Sequence, residues 1–167
     1  MAGAITAILC GKLITGLPGP VLKNAVVEVA DHKIVAIGST VPAAVVDLSS
    51  YTCLPGLIDL HTHLTDDTSF SADPSKLKTR NRAESLELGR KNALATLLAG
   101  FTSVRDVGAY AAFSDVALRD EISSGKTPGP RMQAAGYYLT IPGGGGDIVG
   151  PDESEKDLPE DIRYWCL

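Results

Sequence analysis

The chain has 167 residues, with 15 Lys+Arg against 20 Asp+Glu and a formal charge of −5; its mass is 17.5 kDa and its pI near 5.1. Hydrophobic residues at 44%, charged residues at 21% and a mean hydropathy of +0.10 describe about one ordinary domain able to bury a core, which excludes a disordered chain. The acidity excludes nucleic acid as a partner, because the densest cationic stretch (Lys76, Lys78, Arg80, Arg82) has no interleaved aromatic residue.

The first fifty residues read as all-β. Ile5 to Ile14 is rich in β-branched and aliphatic residues and is broken by Gly16-Leu17-Pro18-Gly19-Pro20. Ala25 to Ala30 leads through Asp31-His32-Lys33 into Ile34 to Gly38, two short strands joined by a polar turn, which predicts a hairpin. Val45 to Leu48 predicts one more strand, ending at a Ser49-Ser50 break.

From Thr52 the texture changes to alternating strand and amphipathic helix. Leu57 to Leu60, opened by Pro55-Gly56, reads as a strand covered on both faces. A helix is predicted from about Asn81 to Ala99, with apolar residues at Ala83, Leu86, Ala93, Leu94, Leu97 and Leu98 and Gly100 as its terminating glycine. Thr102 to Val107 reads as a second strand, Phe113 to Ser123 as a second helix and Met132 to Thr140 as a third strand. This β-α-β-α-β order predicts a parallel sheet. Ile141 to Leu167 has little periodic signal and holds one glycine run.

The three cysteines, Cys10, Cys53 and Cys166, are odd in number, widely spaced and without a C-x-x-C pair. That pattern argues against a disulfide framework and a cysteine zinc knuckle, makes Cys53 a plain core residue, and points to a reducing, cytoplasmic compartment. The apolar run from Ala2 to Cys10 precedes the first basic residue, Lys12, the reverse of a signal peptide. No stretch approaches the roughly 20 apolar residues of a membrane span, so no membrane partner is expected.

His61-Thr62-His63 closes the first buried strand, where residues two apart share a face and two imidazoles could share one metal ion. A chance pair of turn histidines is the bland alternative. Asp59 on the same pleat face makes the arrangement more specific. His32, in the predicted hairpin, reads as a solvated turn residue. Asp106 ends the second strand, where it could orient a ligand histidine, cap a helix, or pair with Arg105 or Arg131. The run Gly143, Gly144, Gly145, Gly146 and Asp147 lacks the Lys-Ser/Thr ending of a phosphate loop and the dinucleotide spacing, so it reads as a flexible loop that could border a site. No Ser/His/Asp or Cys/His nucleophile arrangement is visible.

Leu54-Pro55-Gly56-Leu57-Ile58-Asp59-Leu60-His61-Thr62-His63 resembles the amidohydrolase superfamily, whose barrel opens with Pro-Gly-hydrophobic-Ile-Asp-x-His-x-His. Gly11 to Gly16 and Asp31 to Gly38 look like the strands of that family's small β-sandwich. Ala99 to Gly108 and Gly129-Pro130-Arg131 look like its imidazolonepropionase-like branch, which includes Xaa-Pro dipeptidases. The resemblance implies an α/β fold, the N-terminal part of a TIM-type (β/α)8 barrel with about three βα units after a β-sandwich segment. It divides the chain into 1–53 and 54–167. It also implies a divalent metal, zinc above all, as one or two ions bound through His61 and His63, with Asp59 and Asp106 in support. The ion would act as Lewis acid and water activator in hydrolysis of an amide, dipeptide or N-acyl amino acid. Gly145 stands where that branch commonly has a histidine in a Gly-Gly-His-Gly loop, so a substrate contact from it is missing.

A complete barrel takes about 250 residues, so residues 55 to 167 supply roughly three and a half of eight units. The family's carboxylated lysine, later histidines and catalytic aspartate belong to strands beyond those present. Exposed strand edges then predict a homo-oligomer. The alternative from another class is a truncated, non-catalytic chain that works only with a partner polypeptide.

Overall fold

The computed structural model describes residues 6–67, 81–111 and 113–136. Its contacts divide it into two units, parted between Pro55 and Gly56. Valine, isoleucine and leucine, which pack well on a pleated surface, recur along β1 (Thr6–Leu13) and β2 (Leu22–Ala30). With β3 (Lys33–Gly38) and β4 (Val46–Cys53) they form a sheet in the order β3-β2-β1-β4. The predicted hairpin is β2–β3. Ala30 pairs with Lys33, and Asp31 and His32 take φ of 48° and 61°, the left-handed backbone that a two-residue type I′ turn requires.

β4 runs through Ser49 and Ser50 instead of breaking there, because its parallel ladder to β1 holds it on both sides of the serines, at Val46 to Leu48 and again at Thr52 and Cys53. The ladder shifts register between Cys10 and Lys12. Gly11 sits at this bulge, where a Cβ would collide with the Ser49 carbonyl. On either side of the bulge Cys10 and Cys53 are joined as a disulfide, with Cα atoms 5.8 Å apart. This corrects the sequence-based expectation of unpaired cysteines. An odd count leaves one cysteine over without preventing a pair, and a separation of 43 residues conceals that β1 and β4 are neighbours. Disulfides persist in oxidising compartments, so the cysteines no longer argue for a reducing one. Cys10, Leu13, Ala25 and Val27 form the buried cluster of this unit. The same face continues into an apolar groove of about 610 Å³ bordered by Ile34, Ile37 and Tyr51.

In the second unit β5 (Leu57–Thr62), β6 (Phe101–Asp106) and β7 (Arg131–Ala134) form a parallel sheet in that order. α1 (Arg82–Leu98) connects β5 to β6, and α2 (Ser114–Ser123) connects β6 to β7. α1 begins at a reciprocal cap: the Asn81 side chain accepts from Glu84 N at 3.0 Å and the Glu84 carboxylate accepts from Asn81 N at 3.1 Å. It ends at Gly100, whose φ of 96° suits glycine. Its buried stripe is Ser85, Gly89 and Ala93. The leucines picked out by periodicity fare differently, since Leu98 is 78% exposed. Small residues are required because the neighbours come so close. A Cβ on Gly89 would lie 2.7 Å from Thr65 Cγ2 and 3.0 Å from Leu118 Cδ2.

Leu64, Ala93, Val104 and Leu118 make the core, with Leu86, Ile122 and Met132 packed against it; burial of one such leucine is worth about 1.5–3 kcal/mol. The two helices are also tied by Arg90, whose Nε and Nη2 each donate to Glu121 at 2.7 Å. Glu121 further accepts from Lys126 Nζ at 2.6 Å and Thr127 Oγ1 at 3.0 Å. β5 is not covered on both faces as expected: Ile58 is 64% and Leu60 59% exposed. The reason is topological, since β5 is an edge strand while α1 packs on β6 and α2 on β7. Among the described residues no helix is long and apolar enough to cross a membrane.

Candidate functional site

Parallel strands bring their C-terminal ends to one edge, and Thr62, Asp106 and Ala134 occupy neighbouring register positions there. The loops that leave these strands meet at that edge, as active-site loops do in parallel α/β structures. His61 is the penultimate residue of β5 and His63 the first beyond it. Their rings lie edge to face with centroids 5.3 Å apart. His63 Nδ1 is 2.9 Å from the Gly108 carbonyl oxygen. A carbonyl only accepts, so Nδ1 carries a proton; in a neutral ring that leaves the lone pair on Nε2, the tautomer that a metal-binding histidine presents when its other nitrogen is held. Asp59 turns back on its own strand, its Oδ1 accepting from His61 N at 3.0 Å.

Asp106 is fully buried and faces backbone. Oδ2 accepts from Leu64 N at 2.6 Å and from Thr62 Oγ1 at 3.4 Å, and Oδ1 from Gly108 N at 3.3 Å. It therefore grips both sides of His63, the residue that follows it and the residue whose carbonyl holds its ring. The sequence reading offered orientation of a ligand histidine, a helix cap or an arginine pair; the carboxylate's hydrogen bonds run to Thr62 and to the loops on either side of His63. Arg105 Nε donates to the Leu60 carbonyl and Arg131 Nη2 to Ser103 Oγ. Burial pushes the Asp106 carboxyl from 3.8 up to about 6, opposed chiefly by the Leu64 amide and reinforced by the negative charge of Asp115.

The turn after β5 is fixed from several directions. Asp66 N donates to the His63 carbonyl at 3.1 Å, Asn92 Nδ2 to the Leu64 carbonyl at 2.8 Å, and Ser114 Oγ to Thr65 Oγ1 at 2.8 Å. Asn92, Ser114 and Asp115 were not picked out from the sequence. In the chain they read as ordinary helix polar residues, and only their hydrogen bonds to Leu64, Thr65 and Gly136, 28, 49 and 21 residues away, set them apart. His32 lies in the β2–β3 turn of the other unit. Gly143, Gly144, Gly145, Gly146 and Asp147 lie outside the described residues. Among the described residues no group of three His, Cys, Asp or Glu side chains could hold a metal ion. Imidazoles are donors of the kind that a zinc-class ion takes, so His61 and His63 fit such an ion in kind, while two donors fall short of a four-coordinate set.

Residues 52–165 match the sequence model of the amidohydrolase family. The chain belongs to that family. Among its relatives, the ochratoxinase of Aspergillus niger is 31% identical over 152 residues, covering 86% of this chain and 30% of that protein. A Xaa-Pro dipeptidase crystallised with methionine in its active site superposes with a TM-score of 0.76 at 30% identity, over 94% of this chain and 39% of the other. The crystal structure of the A. niger ochratoxinase gives a TM-score of 0.71 at 28% identity, over 98% and 36%. The chain thus spans roughly a third of the length of these amidohydrolase relatives.

Proposed function

We propose that this sequence is the N-terminal part of a divalent-metal-dependent hydrolase of C–N bonds, acting on amide or dipeptide-like substrates. On this reading β5–β7 are the first three strands of an eight-stranded βα barrel, and the four-stranded sheet is a β-sandwich segment. The observation that supports it best is the His61–His63 pair, held 5.3 Å apart at the end of a parallel strand in a chain of the amidohydrolase family. His61 and His63 would bind the ion; the remaining ligands would come from residues other than those described. A bound divalent ion supplies Lewis acidity and an acidified water to such a reaction. The chain's own part is orientation. The Gly108 carbonyl fixes the His63 tautomer, and Asp106 holds Leu64 and Gly108 so that the ring cannot swing away.

The test is His61→Ala in the protein as its natural source produces it, with bound metal and hydrolysis of N-acyl amino acids and Xaa-Pro dipeptides both measured. Loss of activity with reduced bound metal is expected, and full activity with unchanged metal would overturn the ligand assignment. An intact mass above 17.5 kDa in that source would point to a longer enzyme. A mass of 17.5 kDa with no turnover would favour the non-catalytic alternative.

A further inference from the structure

We propose that Asp115 is a positioning residue for His63, acting through Gly136 and the Gly108–Ala109 peptide group. The inference rests on the proposed role of His63 as a ligand. Asp115 stands in the first turn of α2 and is fully buried, unlike an acid that merely complements a helix N-terminus from solvent. Its Oδ1 accepts from Val116 N at 2.8 Å, within its own helix. Its Oδ2 reaches out of the helix to accept from Gly136 N at 2.7 Å, just beyond β7.

Gly136 passes the constraint on, its carbonyl accepting from Ala109 N at 3.0 Å. That N–H belongs to the same peptide group as the Gly108 carbonyl, which accepts from His63 Nδ1 at 2.9 Å. A peptide whose N–H is already bonded is a stronger acceptor at its oxygen, because bonds in a chain polarise one another. The path is continuous. Gly136 has φ of 84°, and a Cβ there would stand 2.9 Å from Phe113 Cε1, so the position requires glycine. Asp106 steadies the preceding peptide group, Val107–Gly108, through Gly108 N. A carboxylate on α2 thereby sets the plane of the carbonyl that selects the His63 tautomer, two loops away.

The experiment compares wild type, Asp115→Ala and Leu118→Ala as metal-free proteins, with nitrogen-15 NMR of the histidine rings as the first readout and zinc titration as the second. Leu118 is a buried core residue of the same helix, so its truncation weakens α2 without touching the Asp115–Gly136 bond. Asp115→Ala should shift His63 from the Nδ1–H form to a mixture of tautomers and weaken zinc binding by up to about tenfold, the low end of the range seen when the outer partner of a ligand histidine is itself lost. Leu118→Ala should leave the tautomer as in wild type. An unchanged tautomer in folded Asp115→Ala, or the same shift in both variants, would overturn the proposal. If Asp115→Ala fails to fold, the isosteric Asp115→Asn takes its place under the same criteria, since one oxygen cannot serve both amides. The tautomer is read without metal, so failure here is distinct from failure of the ligand assignment, which His61→Ala decides.

Discussion

Asp106→Asn separates the electrostatic cost of the buried carboxylate from its bracing role. The carboxyl leaves its ordinary value of 3.8 for about 6 on folding. Between those values the folded chain keeps a proton that the unfolded chain has released. Stability is therefore fully present below about pH 4 and is lost as pH rises through about 6. At roughly 1.4 kcal/mol per pH unit the whole window amounts to about 3 kcal/mol, of which about 2 kcal/mol falls between pH 4.5 and 7.5. Asparagine does not titrate and has one oxygen where Asp106 uses two, so one of the Leu64 and Gly108 amides is left facing an NH2 group, at a cost of about 1–3 kcal/mol. The variant should be less stable than wild type at about pH 4.5, and the gap should narrow by about 2 kcal/mol by about pH 7.5. Urea denaturation of metal-free protein followed by circular dichroism measures both. A gap independent of pH would show that Asp106 ionises as an exposed acid does, and the account of its burial would fail.

The cysteines allow a direct count: alkylation in denaturant without reductant should modify one thiol, and three after reduction, given the Cys10–Cys53 pair among three cysteines. Loop-entropy arithmetic for a closed loop of 43 residues assigns that cross-link about 4 kcal/mol, so Cys10→Ser with Cys53→Ser should lower the urea midpoint of the first unit strongly; three alkylated thiols without reductant would remove the basis for it. Glu121, held well below the usual carboxylate range by Arg90 and then Lys126, contributes stability that persists in mild acid and is lost only as pH falls through its depressed value. Glu121→Gln should lower stability at neutral pH and flatten the acid limb of a pH–stability profile, and an unaltered acid limb would refute the clamp between α1 and α2.

Local chemistry made much of this molecule legible in the chain. Alternating β-branched runs, the Asp-His turn, the Asn81 cap and Gly100 are short-range devices whose hydrogen bonds close within a few residues, so the hairpin, α1 and the βαβαβ order could be read directly. The His61-Thr62-His63 pair was legible for the same reason. Exposure was not: the apolar letters of Leu57 to Leu60 predict a covered strand, whereas its place at the sheet edge leaves Ile58 and Leu60 open. Nor were the helix faces, because α1 buries Ser85, Gly89 and Ala93 where close approach to Thr65 and Leu118 outweighs hydrophobicity. What the sequence by itself determined was therefore the kind and order of elements and the two histidines at a strand end. Tertiary structure alone decided which cysteines join, that Asp106 braces the loops on either side of His63, and that Asp115 reaches out of its helix to Gly136. Each of these rests on atoms many residues apart in the chain, brought within hydrogen-bonding or covalent distance only once the strands have chosen their neighbours.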